Sequence, residues 1–219
     1  MSKMTIVLGN KNYSSWSLRP WLALRQTGAA FDEVVIPLYV DGYKEQILRW
    51  SPGGKVPVLK HGDVTVWESL AICEYLADAF PEAGLWPADR SVRAIARAVA
   101  TEMHGGFPTL RQNLPMDISR RHPGGERIAK AKPDIDRVTA TWRDCRTRFG
   151  ETGAHGSGPF LFGGFTIADA MYAPVVTRFR TYGVELDAVC AAYSDAVLGM
   201  PAMRDWMSAG AAEPWVIAS

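Results

Sequence analysis

Four short segments place polar side chains at turns or helix starts, where they could do chemistry. Tyr13-Ser14-Ser15-Trp16-Ser17 is a polar turn between an apolar strand candidate and an amphipathic helix. A hydroxyl there can donate to an anion, and the open N–H groups and positive dipole end of the helix add to the effect. Serine is also a common helix cap, which is the plainer reading. Val56-Pro57 opens a strand, where proline removes a ladder donor. An ordinary edge-strand proline answers that pattern, and so does a cis bond that leaves the preceding backbone free for a ligand. Glu68-Ser69 falls at a strand-to-helix junction. Ser69 can cap the helix there, and Glu68 can meet an ammonium group or stand as a solvated turn acid. Thr166-Ile167-Ala168-Asp169 is a capping box with Asp in place of Glu. Its structural role is preferred: Asp169 holds a core helix and is not catalytic.

Other chemistries lack their residues. There is no GxGxxG, no phosphate-binding Gly-Lys-Ser/Thr, no HExxH and no GxSxG. His61, His104, His122 and His155 are scattered, and no metal site is expected from them. Cys73, Cys145 and Cys190 form neither a CxxC pair nor a disulfide framework, which suits a reducing compartment. In 219 residues, 24 Lys and Arg against 23 Asp and Glu give a net charge of +1, so nothing in the bulk charge favours nucleic acid or an anionic membrane. Hydrophobic residues make up 47%, enough for a sizeable core. No run approaches the ~18 apolar residues of a membrane span, and the N-terminal run is short of the about 7–15 of a secretory signal. The expectation is a cytoplasmic protein.

The elements that position these segments follow from hydrophobic spacing. Thr5–Leu8 and Glu33–Leu38 read as strands, and Val56–Leu59 and Val64–Trp67 as a hairpin turning at His61-Gly62-Asp63. Trp16–Gln26, Asp41–Trp50 and the stretch from Ser69 to Phe80 read as helices. The order β-α-β-α-β-β-α in about 80 residues makes a small α/β domain. After residue 90 the strand signals largely vanish. Helical stripes run over Val92–Met103, Ile128–Phe149, Thr166–Arg180 and Pro201–Ala209, with a shorter one near Leu186–Tyr193. The expected organisation is an α/β domain over 1–82, a linker over 83–90 and an all-α domain over 91–219.

Taken together and in this order, these features resemble the cytosolic glutathione transferase family. The resemblance spans nearly the whole chain, with a thioredoxin-like first half and a helical second half. Lys55-Val56-Pro57-Val58-Leu59 followed by Glu68-Ser69-Leu70-Ala71-Ile72 is the specific pair of motifs, and Phe160-Leu161-Phe162-Gly163 before Thr166–Asp169 is the second marker. Ser14-Ser15-Trp16-Ser17 is similar to the Ser-Ser-Cys-Ser turn of the zeta class, with Trp16 where that turn has cysteine, which argues against disulfide-reducing chemistry. Lys55-Val56 and Glu68-Ser69 look more theta-like. The resemblance is therefore to a bacterial serine-class transferase.

The resemblance implies roles for these residues. Ser14 would hydrogen-bond the sulfur of glutathione, the co-substrate, with Ser15 as close competitor. Val56 would pair its backbone with the cysteinyl part, held by cis-Pro57. Glu68 and Ser69 would take the γ-glutamyl end and Lys55 the glycyl carboxylate. The thiolate would attack a small, largely apolar electrophile. That substrate would meet a wall of Met103, His104, Phe107 and Arg111, with Tyr13 and Trp16 as an aromatic side. A homodimer is expected. Two other activities stay open: a glutathione-dependent cis-trans isomerase of the maleylacetoacetate type, and a non-catalytic ligand-binding module.

Overall fold

The computed structural model describes residues 3–122, 124–153 and 155–217. Strand β1 (Met4–Leu8) lies inside a four-stranded sheet of order β2-β1-β3-β4. It pairs in parallel with β2 (Phe31–Val35) and antiparallel with β3 (Val58–His61), which turns at Gly62 into β4 (Val64–Trp67). A parallel pair needs a crossover, and helix α1 (Ser15–Gln26) supplies it. Alternation along β1 sends Ile6 and Leu8 into the large core with Leu18, Leu22, Ile72 and Leu76 of α1 and α3 (Ser69–Ala79). Val7 points the other way, into a small cluster with Ile36, Val58 and Ile47 of α2 (Tyr43–Leu48). This is the thioredoxin-like arrangement.

Strand β2 starts and ends earlier than the apolar run Glu33–Leu38 suggests. Its register is set by β1, from Met4 opposite Phe31 to Leu8 opposite Val35. Beyond Val35 the chain peels away: Leu38 N–H donates to the Asn10 side chain at 2.8 Å.

The second half is helical: α4 (Arg90–Gly105), α5 (Pro108–Asn113), α6 (Gly125–Cys145), α7 (Ile167–Tyr182), α8 (Ala188–Gly199) and α9 (Pro201–Ala211). Helix α6 ends in a π turn over Arg146–Gly150 and keeps Pro133 in its interior. Helix α5 was not expected; Gly105-Gly106 ends α4 outright, and Pro108 starts a new helix. Helix α7 is buried on nearly every side, as suits a central helix. It packs on α4 and on α1, so it joins the two halves.

Asp169 fixes the start of α7. Its carboxylate accepts from Thr166 N–H at 2.8 Å, Thr166 Oγ1 at 2.9 Å and Leu161 N–H at 3.0 Å. Burial raises its pKa to about 6, against the opposing pull of those donors.

Candidate functional site

The turn between β1 and α1 is tied down from three sides. Asn10 C=O accepts from the N–H groups of Tyr13 and Ser14. The Asn12 side chain donates to Asp117 at 3.1 Å and accepts from Ser119 N–H at 2.9 Å. Glu213, beyond the last helix, accepts from Lys11 N–H at 2.7 Å and Asn12 N–H at 3.1 Å. Gly210 permits that close packing, since a Cβ there would stand 3.0 Å from Asn12 N.

Ser14 and Ser15, adjacent in sequence, have different partners. Ser14 caps α1: its Oγ accepts from Ser17 N–H at 3.3 Å and pairs with Ser17 Oγ at 2.8 Å. Ser17 Oγ, fully buried, also accepts from Gly9 N–H at 3.0 Å. Ser15 Oγ instead accepts from the Arg178 guanidinium of α7 at 3.2 Å. The capping reading of Ser14 is therefore right, and its hydroxyl also lines a cleft.

Trp16 stands between two clefts and lines both. The first, about 230 Å³, gathers Lys55, Val56, Pro57, Glu68 and Ser69, all of the residues expected on the peptide side. The Val56–Pro57 bond is cis. Among the described residues the Val56 backbone makes no backbone hydrogen bond. Glu68 is exposed and holds φ 70°, ψ 126°, a conformation that costs a non-glycine residue about 1–3 kcal/mol and marks functional sites. Ser69 Oγ is buried without a partner. The first N–H groups of α3 open here too, which favours an anion. An extended peptide with an ammonium group and two carboxylates would find a partner for each: Glu68, the α3 start with Ser69, and Lys55.

The second cleft, about 510 Å³, brings Tyr13, Ser14, Ser15, Arg111 and Arg178 together. The guanidinium carbons of Arg19 and Arg111 lie 4.5 and 4.9 Å from the Trp16 ring, and His104 meets it edge-on at 5.3 Å. Burial, and then the charge of Arg19, push the His104 pKa below its ordinary value, so its ring is neutral at pH 7. Arg111 is fixed by donating to the carbonyls of Gly106 at 2.9 Å, of His104 at 3.3 Å and of Met103.

Two residues of the expected wall are elsewhere. Met103 lies on the buried stripe of α4 with Ala96, Val99 and Ala100, and Phe107 is core as well. The physical reason is the helix break: Phe107 takes φ 62°, and its side chain packs into the core rather than the cleft. Arg178 and Asp117 take part in their place, with Pro115, Met116 and Ile217 as apolar wall. One signal for Arg178 was present in the sequence, an arginine inside an otherwise apolar helix run.

A family model described as "Glutathione S-transferase, N-terminal domain" matches residues 13–79, and "Glutathione S-transferase, C-terminal domain" matches 89–209. The chain belongs to the glutathione S-transferase family. Glutathione S-transferase 1 of Dianthus caryophyllus is 27% identical over 84% of this chain and 81% of its own length. Maleylacetoacetate isomerase of Rattus norvegicus is 38% identical, but the match covers 46% of each chain, so this chain spans less than half of that relative. Among solved structures, a holo maleyl pyruvate isomerase, titled a bacterial zeta-class glutathione S-transferase, superposes with TM-score 0.72 at 23% identity, covering 96% and 98% of the two chains. That likeness shows the fold.

The chain's own thiols lie away from both clefts. Cys73, Cys145 and Cys190 are buried, and burial pushes the Cys145 and Cys190 pKa values up to about 12, so they stay protonated and inert. No cluster of metal-ligating side chains occurs among the described residues. None of the described helices is long and apolar enough to cross a membrane.

Proposed function

We propose that this chain is a serine-type glutathione transferase of zeta- and theta-like character. Residues 1–82 bind glutathione, 83–90 connect, and 91–219 complete the electrophile side. The observation that supports this best is the first cleft. An unpartnered Ser69 hydroxyl, an unpaired Val56 backbone and a Glu68 held at positive φ face one small space. A module that had lost its glutathione site would have no need to keep all three.

In this reading Glu68 takes the α-ammonium, and Ser69 with the α3 start takes the neighbouring carboxylate. Val56 pairs with the cysteinyl backbone and Lys55 meets the glycyl carboxylate. Ser14 donates to the sulfur. A free thiol has pKa about 8.5, so little thiolate exists at pH 7 until a donor stabilises it. In the free protein the Ser14 hydroxyl donates to Ser17 Oγ, which also accepts from Gly9 N–H, and the sulfur would take that proton in place of Ser17. Ser14 Oγ accepts from Ser17 N–H, which polarises its hydroxyl as a donor. The thiolate attacks an electrophilic carbon of the second substrate, a leaving group departs with the electron pair, and the thioether is the product.

Calorimetry with glutathione, then thiolate absorbance against pH in the bound state, tests the reading. Tight binding with a lowered thiol pKa is expected; no binding sinks it. We further propose a cytoplasmic, detoxifying homodimer. Exposed Leu48, Val64 and Trp67 on the first half give it apolar surface to cover. Light scattering at micromolar concentration should give twice the chain mass.

A further inference from the structure

Helix α9 packs on α1 and turns one face to the stretch between β1 and α1. Trp206, Gly210 and Glu213 are spaced four and three apart, which puts them on one side of a helix. The helical turn continues past Ala211, with Ala212 N–H donating to Ser208 C=O at 3.2 Å and Glu213 N–H to Gly210 C=O at 3.3 Å. All three residues meet Lys11 and Asn12. Trp206 Nε1 donates to Lys11 C=O at 2.9 Å. Gly210 is buried against the same backbone: an added Cβ would stand 3.0 Å from Asn12 N and 3.1 Å from Lys11 C. The Glu213 carboxylate accepts from Lys11 N–H with one oxygen and from Asn12 N–H with the other.

Two successive N–H groups aimed at one carboxylate make a small anion-binding nest, and such bonds are charge-assisted. Within the turn, Asn10 C=O takes the Tyr13 and Ser14 N–H groups at 3.2 and 2.8 Å. The Lys11 and Asn12 N–H groups lie outside that loop, and Glu213 is their acceptor among the described residues. The Lys11 ammonium is paired elsewhere, with Glu33, and lies over the Trp21 and Trp206 rings. Glu213 forms no ion pair among the described residues, so its carboxylate is held there by turn backbone. It lines neither cleft.

We propose that Glu213 is a positioning residue for thiol activation. Seated on the Lys11 and Asn12 N–H groups, it holds the β1–α1 turn so that the Ser14 hydroxyl meets the glutathione sulfur. This rests on the serine reading of the site and extends it to the far end of the chain. A group that stabilises developing charge must be held within about 0.5 Å of its productive place. The first cleft is lined by Lys55, Val56, Pro57, Glu68 and Ser69 and does not depend on this anchor, so glutathione is bound with or without it. The sign of the effect separates positioning from plain electrostatics. The direct field of a carboxylate opposes a thiolate, so its removal by itself would lower the thiol pKa. Loss of the Ser14 contact raises it.

Thiolate absorbance against pH at saturating glutathione tests this in the unmodified protein, Glu213→Gln and Glu213→Ala. Gln keeps the size and one acceptor oxygen, so the comparison stands even where Ala loosens the fold. Both should raise the thiol pKa, Ala more than Gln, by part of the roughly one to two units expected of Ser14→Ala. Conjugation at pH 7 should slow about threefold or more and recover at high pH, while the glutathione Kd from calorimetry stays within about twofold. On a Ser14→Ala background, Glu213→Ala should add no further shift, since it acts through that hydroxyl. The positioning role is overturned by an unchanged or lowered thiol pKa in both Glu213 variants. An additive shift on the Ser14→Ala background, or glutathione affinity lost together with the pKa shift, overturns it equally. Failure of the unmodified protein to bind glutathione, or an unshifted thiol pKa in Ser14→Ala, would overturn the serine reading beneath it.

Discussion

The two clefts on either side of Trp16 handle charge in opposite ways. On the first, Lys55 and Glu68 are exposed and of opposite sign. Water already solvates them, so each ion pair with a ligand contributes little, and binding is the sum of many weak contacts. On the second, Arg178 is buried, Arg111 is half-buried, and both have the same sign with no acid assigned to them. One cleft offers solvated partners of both signs, the other buried charge of one sign.

The largest expected effect removes both clefts together. Asp169→Ala leaves buried Thr166 and Leu161 donors without an acceptor, at about 1–3 kcal/mol for each unmatched group. Thermal melting should show a drop of many degrees, while turnover per folded molecule at low temperature stays near the parent's. A normal melt with lost turnover would make Asp169 a site residue. Its titration gives a signature. The folded pKa, about 6, lies above the ordinary 3.8, so the folded state holds the proton more tightly. This group's contribution is full below about pH 4 and is lost as pH rises through 6. The stability gap between parent and variant should narrow over that interval.

Next comes the division between the serines. Ser14→Ala should raise the pKa of bound glutathione by roughly one to two units and slow conjugation at pH 7 about tenfold or more, recovering at high pH. Ser15→Ala should leave the thiol pKa in place. If Ser15→Ala shifts the thiol titration and Ser14→Ala does not, the thiol donor is Ser15. A smaller effect is expected at Glu68. Glu68→Gln should weaken glutathione binding several-fold with kcat little changed, because the contact is present in ground and transition states alike and is solvated. Isothermal titration reads it, and an unchanged affinity removes Glu68 from the site.

The same contrast explains what could be read from the sequence. Lys55–Pro57 and Glu68-Ser69 lie within fifteen residues of one another on one hairpin and its following helix, so local pattern and resemblance assembled the first cleft in advance. The order of elements along the first domain and most helix starts were legible for the same reason. The second cleft is built from the β1–α1 turn, α5 with its following loop, α7 and the tail, and no local pattern brings Ser15 to Arg178 across 163 positions. Met103 belongs to the buried stripe of α4, and the αL turn at Phe107, which no local pattern announces, sends the Phe107 side chain into the core. The early start of β2 came from pairing with β1, which side-chain hydropathy does not encode.

The bond from Glu213 to the N–H groups of Lys11 and Asn12 sets an order of events during synthesis. The sheet and α3 need only the first 80 residues and can form while the ribosome is still working. The serine turn cannot then be complete, for Asp117, Arg178 and Glu213 have not yet been made. The cleft of Lys55, Val56, Glu68 and Ser69 needs less of the chain than the cleft of Ser15 and Arg178. The turn that carries Ser14 is tied down only when the segment after α9 folds back onto the stretch between β1 and α1.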